Sequence, residues 1–257
     1  MADKVVERQA GQFAQERFER RRRAWLRRVW WALPLVGLFV AAAPVLVAAL
    51  VAPDELTFFI GLGVGAAIGM LMTLVMSPPP HIERWRQGAE GERATAKALR
   101  PLTKRGWVLV HDIQTEWGNI DHVLVGPPGV FMLETKNLGG VVSVADDKLT
   151  VRWREAPDDG YVLDHVGPRA RARAATLHAG FRAAGVRPGW LQAVVVLWPK
   201  FEQGVVEGDR TIWVSGPNLV DVLSARPARL RGEEIASVAA LLRSDRGSHD
   251  PHWSATR

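Results

Sequence analysis

Two long apolar stretches dominate the N-terminal third of the chain. Val29 to Val51 carries no charged side chain, and after Ala52-Pro53-Asp54-Glu55 a second uncharged run extends from Leu56 to Met76. Each exceeds the roughly 20 residues that a helix rising about 1.5 Å per residue needs to cross the hydrocarbon core of a bilayer. Backbone groups in lipid must be satisfied within their own segment, so both runs predict helices, joined by a tight turn into an antiparallel hairpin. Pro34 and Pro44 mark points where the first would kink. Two other readings compete. A cleaved signal peptide is disfavoured by the length of the first run and by the presence of a second. The other is a hairpin buried in a protein core. Gly61, Gly65 and Gly69 line one helix face. Small residues at that spacing allow close helix approach, either within the hairpin or as a homodimer contact.

Beyond Ser77-Pro78-Pro79-Pro80, read as a stiff linker over 77–84, the pattern shifts to alternating helical and strand periods. A helix is predicted over 84–99, with Ala89, Ala96 and Leu99 inward. Strands follow at 107–111, 119–125 and 130–136, then a short pair at 141–145 and 148–153. Ala170, Ala174, Leu177 and Phe181 set a helix over 168–184. The continuous apolar run at 191–198 reads as a central strand. A strand at 211–214 and helices at 217–224 and 231–243 complete the folded part, and the polar tail 244–257 is expected to be disordered. The mixture implies an α/β domain over 85–243, a central sheet flanked by helices.

Charge locates the chain further. The net charge is +6 and the pI near 10.3, which invites a nucleic-acid reading. Residues 1–28 alone hold nine Lys/Arg against four Asp/Glu, and Asp54 and Glu55 are the only charges in the connecting loop. Residues 81–257 are left with only about +3. Most of the basicity therefore flanks the apolar runs. Arg20 to Arg23, Arg27 and Arg28 precede the first, Arg84 and Arg86 follow the second. By the positive-inside rule the protein is multi-pass in the cytoplasmic (inner) membrane, with both termini and the C-terminal domain in the cytoplasm. Trp25, Trp30 and Trp31 sit where an interfacial aromatic belt would lie. The arginine cluster would also attract the anionic lipid bilayer. The chain has no cysteine, which excludes disulfides, thiolate metal sites and cysteine nucleophiles. No lysine-bearing Gly-rich phosphate loop, Gly-x-Ser-x-Gly elbow or zinc motif occurs.

The chemistry concentrates in residues 118–136. Gly126-Pro127-Pro128-Gly129 reads as a turn between two apolar strands, so that Val125 faces Val130 and Asp121 lies opposite Glu134. Lys136 falls two residues on, on the same face. Carboxylates directly across a strand pair have Cβ atoms roughly 5 Å apart and repel. Burying them forces proton uptake unless a cation lies between. A divalent ion with oxygen ligands meets that need, and Lys136 would then orient the attacking water or offset charge on a phosphate. A register one residue off would turn Asp121 away and leave Glu134 and Lys136 as an ordinary surface pair. His122 points to the opposite face, as a proton carrier or, more simply, as a histidine hydrogen-bonded under a helix.

The ordered set Asp121…Glu134-Thr135-Lys136 resembles the core of the PD-(D/E)XK nuclease superfamily. More closely, Gly88-Ala89-Glu90-Gly91-Glu92, Asn119-Ile120-Asp121-His122 and Gly129 through Asn137 resemble the nuclease-related domain, NERD, over about residues 85–200. The resemblance implies a restriction-endonuclease-like central mixed sheet flanked by helices, preceded here by the transmembrane hairpin. It implies Mg²⁺ or Mn²⁺ held by Asp121 and Glu134 with the help of Glu92, Lys136 as a further catalytic residue, and hydrolysis of phosphodiester bonds in DNA rather than RNA. Glu92 fits the family's helix glutamate better than Glu90, since two positions apart on a helix they point in different directions. Family members often carry a glutamine in the helix after the sheet; here that helix reads Pro168-Arg169-Ala170-Arg171-Ala172-Arg173. Arg169, Arg171 and Arg173 are candidates for contacts to a nucleic-acid backbone, or form a solvated face that also attracts the bilayer. The rival to an enzyme is a catalytically inactive nucleic-acid- or protein-binding module tethered to the membrane. A scaffold or sensor without nucleic acid is a third reading.

Overall fold

The computed structural model describes residues 9–244 except 52, 116, 117, 157, 190 and 209. The expected disordered tail, from residue 245 on, and residues 1–8 of the basic N-terminal tail lie outside the described residues. The chain forms two compact units. One is Ala14–Arg86; the other joins the residues up to Phe13 to everything from Gln87 onward.

The first unit holds most of α1 (Gln12–Val29), then α2 (Ala32–Val51), a 3-10 turn at Pro53–Glu55, and α3 (Leu56–Met76). The last two helices are long and apolar enough to cross a membrane, with mean hydropathy 2.5 and 2.2. Only 11% of each apolar window is buried within the chain, unlike the core helix of a soluble domain: Phe39 is 75% and Leu50 78% exposed. Pro34 lies in the first turn of α2, where its missing N–H costs nothing, and Pro44 lies inside the helix. The two helices meet at Gly63, where a Cβ would stand 2.4 Å from the Ala41 carbonyl oxygen. Gly63 and Ala67 are the buried residues of α3. Gly61, Gly65 and Gly69 have nothing within 4 Å of a built Cβ. Of the two readings of that row, packing inside the hairpin is not what the helices do: the row faces away, because the contact runs along a row offset by two residues.

In the second unit, α4 (Pro80–Thr103, of which Gln87 onward belongs here) precedes three antiparallel strands, β1 (Val108–Thr115), β2 (Gly118–Gly126) and β3 (Gly129–Lys136). The helix starts at Pro80, a position where proline is tolerated in a first turn, so the linker shrinks to 77–79. After β4 (Val141–Ala145), β5 (Lys148–Arg152) and β6 (Gly160–Leu163) come α5 (Val166–Ala183), β7 (Leu191–Leu197), β8 (Lys200–Phe201), β9 (Val205–Gly208), β10 (Thr211–Ser215), α6 (Leu219–Ser224) and α7 (Gly232–Ser244).

The main sheet has the order β1-β2-β3-β7-β10-β9, with β3, β7 and β10 parallel and the others antiparallel to their neighbours. A smaller sheet has the order β6-β5-β4-β8. β6, β8 and β9 are too short and polar to announce themselves in the hydropathy pattern. The two faces of the main sheet bury separate cores. One packs Val123, Met132 and Val195 against Ala170, Leu177 and Phe181 of α5, Val238 and Leu242 of α7 and the small sheet. The other packs Leu124, Phe131, Leu133 and Val196 against Leu99 and Leu102 of α4 and Leu219 and Leu223 of α6. Each fully buried Leu or Phe in these layers contributes about 1.5–3 kcal/mol. The result is the expected central mixed sheet with flanking helices. The β2–β3 connection is tighter than a four-residue loop: Gly126 pairs with Gly129, leaving Pro127 and Pro128 as the turn. Gly126 cannot carry a side chain there, since a Cβ would fall 2.2 Å from the Trp107 ring.

Candidate functional site

Strand register brings the acids together. The β2–β3 ladder pairs Val125 with Val130 and His122 with Leu133, so the next step sets Asp121 abreast of Glu134. The Thr135 amide donates to Asp121 Oδ2 at 2.7 Å. On the other side, β1 pairs His111 with His122 and Ile113 with Ile120, which sets Asp112 abreast of Asp121. Asp112 itself leaves the ladder, with φ at +52°. The register therefore aligns the carboxyl groups of Asp121 and Glu134, with Asp112 at the kink beside them.

Glu92 comes to these acids from α4, and the local sequence explains how. At Gly91 a Cβ would lie 2.7 Å from Asn137 Cβ, so only glycine lets the helix come this close to the end of β3. Asn137 Nδ2 donates to the Gln87 carbonyl at 2.9 Å, the hydroxyls of Thr95 and Thr135 are 3.0 Å apart, and Trp198 Nε1 donates to Thr95 at 2.8 Å. Glu92 and Glu134 are each only 8% exposed, while Glu90 is half-buried on another side of the helix.

Residues 9–13 close the site from a distant part of the sequence. The Gly11 amide donates to Glu92, and the Phe13 amide to Asp112 Oδ2 at 3.3 Å, while Asn119 Nδ2 donates to Asp112 Oδ1 at 2.8 Å. Gly11 has φ at +76°, and a Cβ there would meet the Ala89 carbonyl oxygen at 2.7 Å. None of Gly11, Phe13 or Asp112 emerges from motif reading. Asp112 was legible only by extending the β1–β2 register beyond His111; nothing in the sequence marks residues 9–13.

The electrostatics divide the acids into two kinds. Burial, followed by repulsion from Asp121, Asp112 and Glu134, pushes Glu92 up to about 9, against a weaker opposing pull from the Gly11 amide. Burial and then Glu134 push Asp121 up to about 7, with Lys136, the Thr135 amide and Arg173 pulling the other way. Burial also works to raise Glu134, but Lys136 and Arg173 outweigh it and hold that carboxyl below its ordinary value. Lys136 Nζ donates to Glu134 Oε1 at 2.8 Å, and Arg173 to Glu134 Oε2. Burial would lower Lys136, but Glu134 and Asp121 prevail and raise it. Lys136 is therefore a fixed cation at neutral pH.

The three arginines of α5 part company. Arg173 binds Glu134, Arg171 binds Asp147 and Thr211, and Arg169 is exposed. His122 is fully buried on the opposite face, its Nδ1 2.8 Å from that of His111. Burial and then His111 depress it to about 3, the Glu92 main chain opposing weakly. It is neutral near pH 7 and sits under α4 as the simpler reading expected.

The donor set is all oxygen, which suits a hard divalent cation, and the buried Glu92 Oε2 has no hydrogen-bond partner. Such an ion would relieve the repulsion that Asp121 and Asp112 exert on Glu92. Glu134, however, already gives both oxygens to Lys136 and Arg173, and among the described residues no three His, Asp or Glu side chains converge as a ready metal cage. The chemistry fits the ion; the present arrangement requires Glu134 to turn toward it.

Comparison with known proteins covers the segment that holds these residues. The family model "Nuclease-related domain" (NERD) matches residues 87–198, which contain all four of Glu92, Asp121, Glu134 and Lys136. An uncharacterized protein of Bacillus anthracis is 29% identical over 93 residues, 34% of this chain and 42% of that protein. The chain thus spans about two fifths of the length of this curated relative. No solved structure matches.

Proposed function

We propose that the protein is a membrane-anchored, metal-dependent nuclease of the PD-(D/E)XK type, with a restriction-endonuclease-like domain that hydrolyses phosphodiester bonds of DNA on the cytoplasmic side. The observation that carries this reading is the meeting of Glu92, Asp121, Glu134 and Lys136 at one place within the segment matched by the nuclease-related domain. Glu92, Asp121 and Glu134 would hold Mg²⁺ or Mn²⁺, which when bound polarises the phosphate and lowers the pKa of coordinated water. Lys136 is held charged by Glu134 and Asp121, so it cannot take a proton. It orients a water through the water's lone pair and offsets negative charge on the phosphate. The Thr135 amide fixes Asp121, and Gly11 fixes one oxygen of Glu92 while the other stays free. The bilayer anchor rests on two mostly exposed apolar helices and on the arginines that flank them.

One observation favours a second reading, a domain that binds nucleic acid or a protein without cutting. Arg173 occupies Glu134 from the helix where a family glutamine was expected, and so competes with a cation. The deciding experiment is cleavage of plasmid and linear DNA by the full-length protein in detergent, with Mg²⁺ and with Mn²⁺, beside Lys136→Ala. Wild type is expected to cut, and Lys136→Ala to lose about 100-fold or more of the rate while retaining DNA. Absence of cleavage with either ion would leave the binding module as the better account.

A further inference from the structure

A groove of about 780 Å³ lies between α4, β1 and residues 9–10. Its lining includes Arg93, Lys97 and Arg100 from α4 and His111 from β1, with Gln9 and Ala10 opposite, and, among the described residues, no carboxylate. The three cations recur at helical spacing on one face of α4 and are all exposed. Among the described residues none of them pairs with an acid, in contrast to Arg171 and Arg173 of α5. Like charges three and four apart on a helix destabilise it by a few tenths of a kcal/mol per pair. Among the described residues no acid offsets that repulsion.

We infer that this groove, not the arginine face of α5, is the surface on which the backbone of a nucleic acid lies. This rests on the nuclease reading and deepens it. Arg93 directly follows Glu92, and the row Arg93, Lys97, Arg100 leads away from the acidic site along the helix for about 10 Å. The row therefore begins one residue from an acid of the proposed site, and lies on the α4 side of the sheet. The cations lie in a concave surface with Gln9 and Ala10 opposite, a shape that suits an extended phosphate backbone better than a flat bilayer. Three of the groove's side chains are cations suited to phosphate oxygens, so binding there is sensitive to salt.

The test uses the full-length chain in nanodiscs of uncharged lipid, with EDTA present so that nothing is cut. Binding of a short fluorescein-labelled DNA duplex is followed by anisotropy across a salt series. The variant Arg93→Ala/Lys97→Ala/Arg100→Ala is expected to bind at least tenfold more weakly, and its log–log salt slope to shrink by about 2.7, from three phosphate contacts at about 0.9 each. The single exchange Lys97→Glu, at an exposed position, is expected to weaken binding severalfold and serves if the triple variant does not fold. Wild-type affinity and slope in the variants would overturn the inference. So would a wild type that shows no salt-dependent DNA binding, or variants that keep DNA but lose retention on phosphatidylserine vesicles. A protein that binds through the groove yet never cuts loses only the catalytic reading; one that cuts while its variants bind unchanged loses only the groove.

Discussion

Glu92→Gln should make the metal-free protein more stable, although it alters the proposed active site. Glu92 titrates at about 9 in the fold against 4.5 for an unperturbed glutamate. A raised carboxyl pKa means the folded state binds the proton more tightly than the unfolded state, so its contribution is complete below pH 4.5 and is lost as pH rises toward 9. Each unit of pH in that window costs about 1.4 kcal/mol. At pH 7 the loss amounts to about 3 kcal/mol. Glutamine keeps an acceptor for the Gly11 amide, carries no charge, and removes this loss. For a chain of this size 1 kcal/mol moves the melting temperature by about 2–4 °C, so the variant should melt roughly 6–12 °C higher at pH 7 in EDTA. The advantage should widen toward pH 8 and vanish near pH 4.5. Thermal melts of the full-length protein across that range, read by tryptophan fluorescence, measure it directly. Mn²⁺ should raise the wild type and leave the variant where it was. Equal melting temperatures within about 2 °C at pH 7 would refute the argument that Glu92 is held in a repulsive, buried site.

Other consequences are equally open to measurement. Arg173→Gln removes a cation from the buried Glu134, so the metal-free protein should lose about 1–3 kcal/mol. The same change frees a carboxylate oxygen, so the gain in melting temperature on adding Mn²⁺ should exceed that of wild type; an unchanged gain would show that Arg173 does not compete with a cation. The absence of cysteine gives a clean background for topology. Asp54→Cys in the hairpin loop should react with a membrane-impermeant maleimide added outside spheroplasts, and Arg226→Cys only after lysis. The reverse pattern would contradict a cytoplasmic nuclease-like domain.

Much of the domain was readable because its elements follow strong periodicities. The β2–β3 register could be written from the Gly126–Gly129 turn alone, and with it the alignment of Asp121, Glu134 and Lys136. The α5 helix followed from Ala170, Ala174, Leu177 and Phe181. What escaped was whatever depends on contact between distant segments. Arg173 looked like a backbone binder because its sequence neighbours are all basic; its partner Glu134 lies 39 residues away. Asp112 was left out because β1 was ended at His111, before the kink that takes Asp112 out of the ladder. Gly63 carries the hairpin contact although the more conspicuous spacing belongs to Gly61, Gly65 and Gly69. Residues 9–13 looked like part of a basic tail over 1–28, since a single amide on a buried acid leaves no trace in composition.

That short N-terminal segment constrains how the chain can be threaded. Residues 9–13 belong to the same folded body as the described residues from Gln87 onward, tied there by the Gly11 and Phe13 amides. Two stretches of one body must lie in one compartment. The chain from Ala14 to Arg86 can therefore cross a bilayer an even number of times and no other. A single crossing would put Gly11 and Glu92 on opposite sides of the membrane, and the acidic site would never be completed.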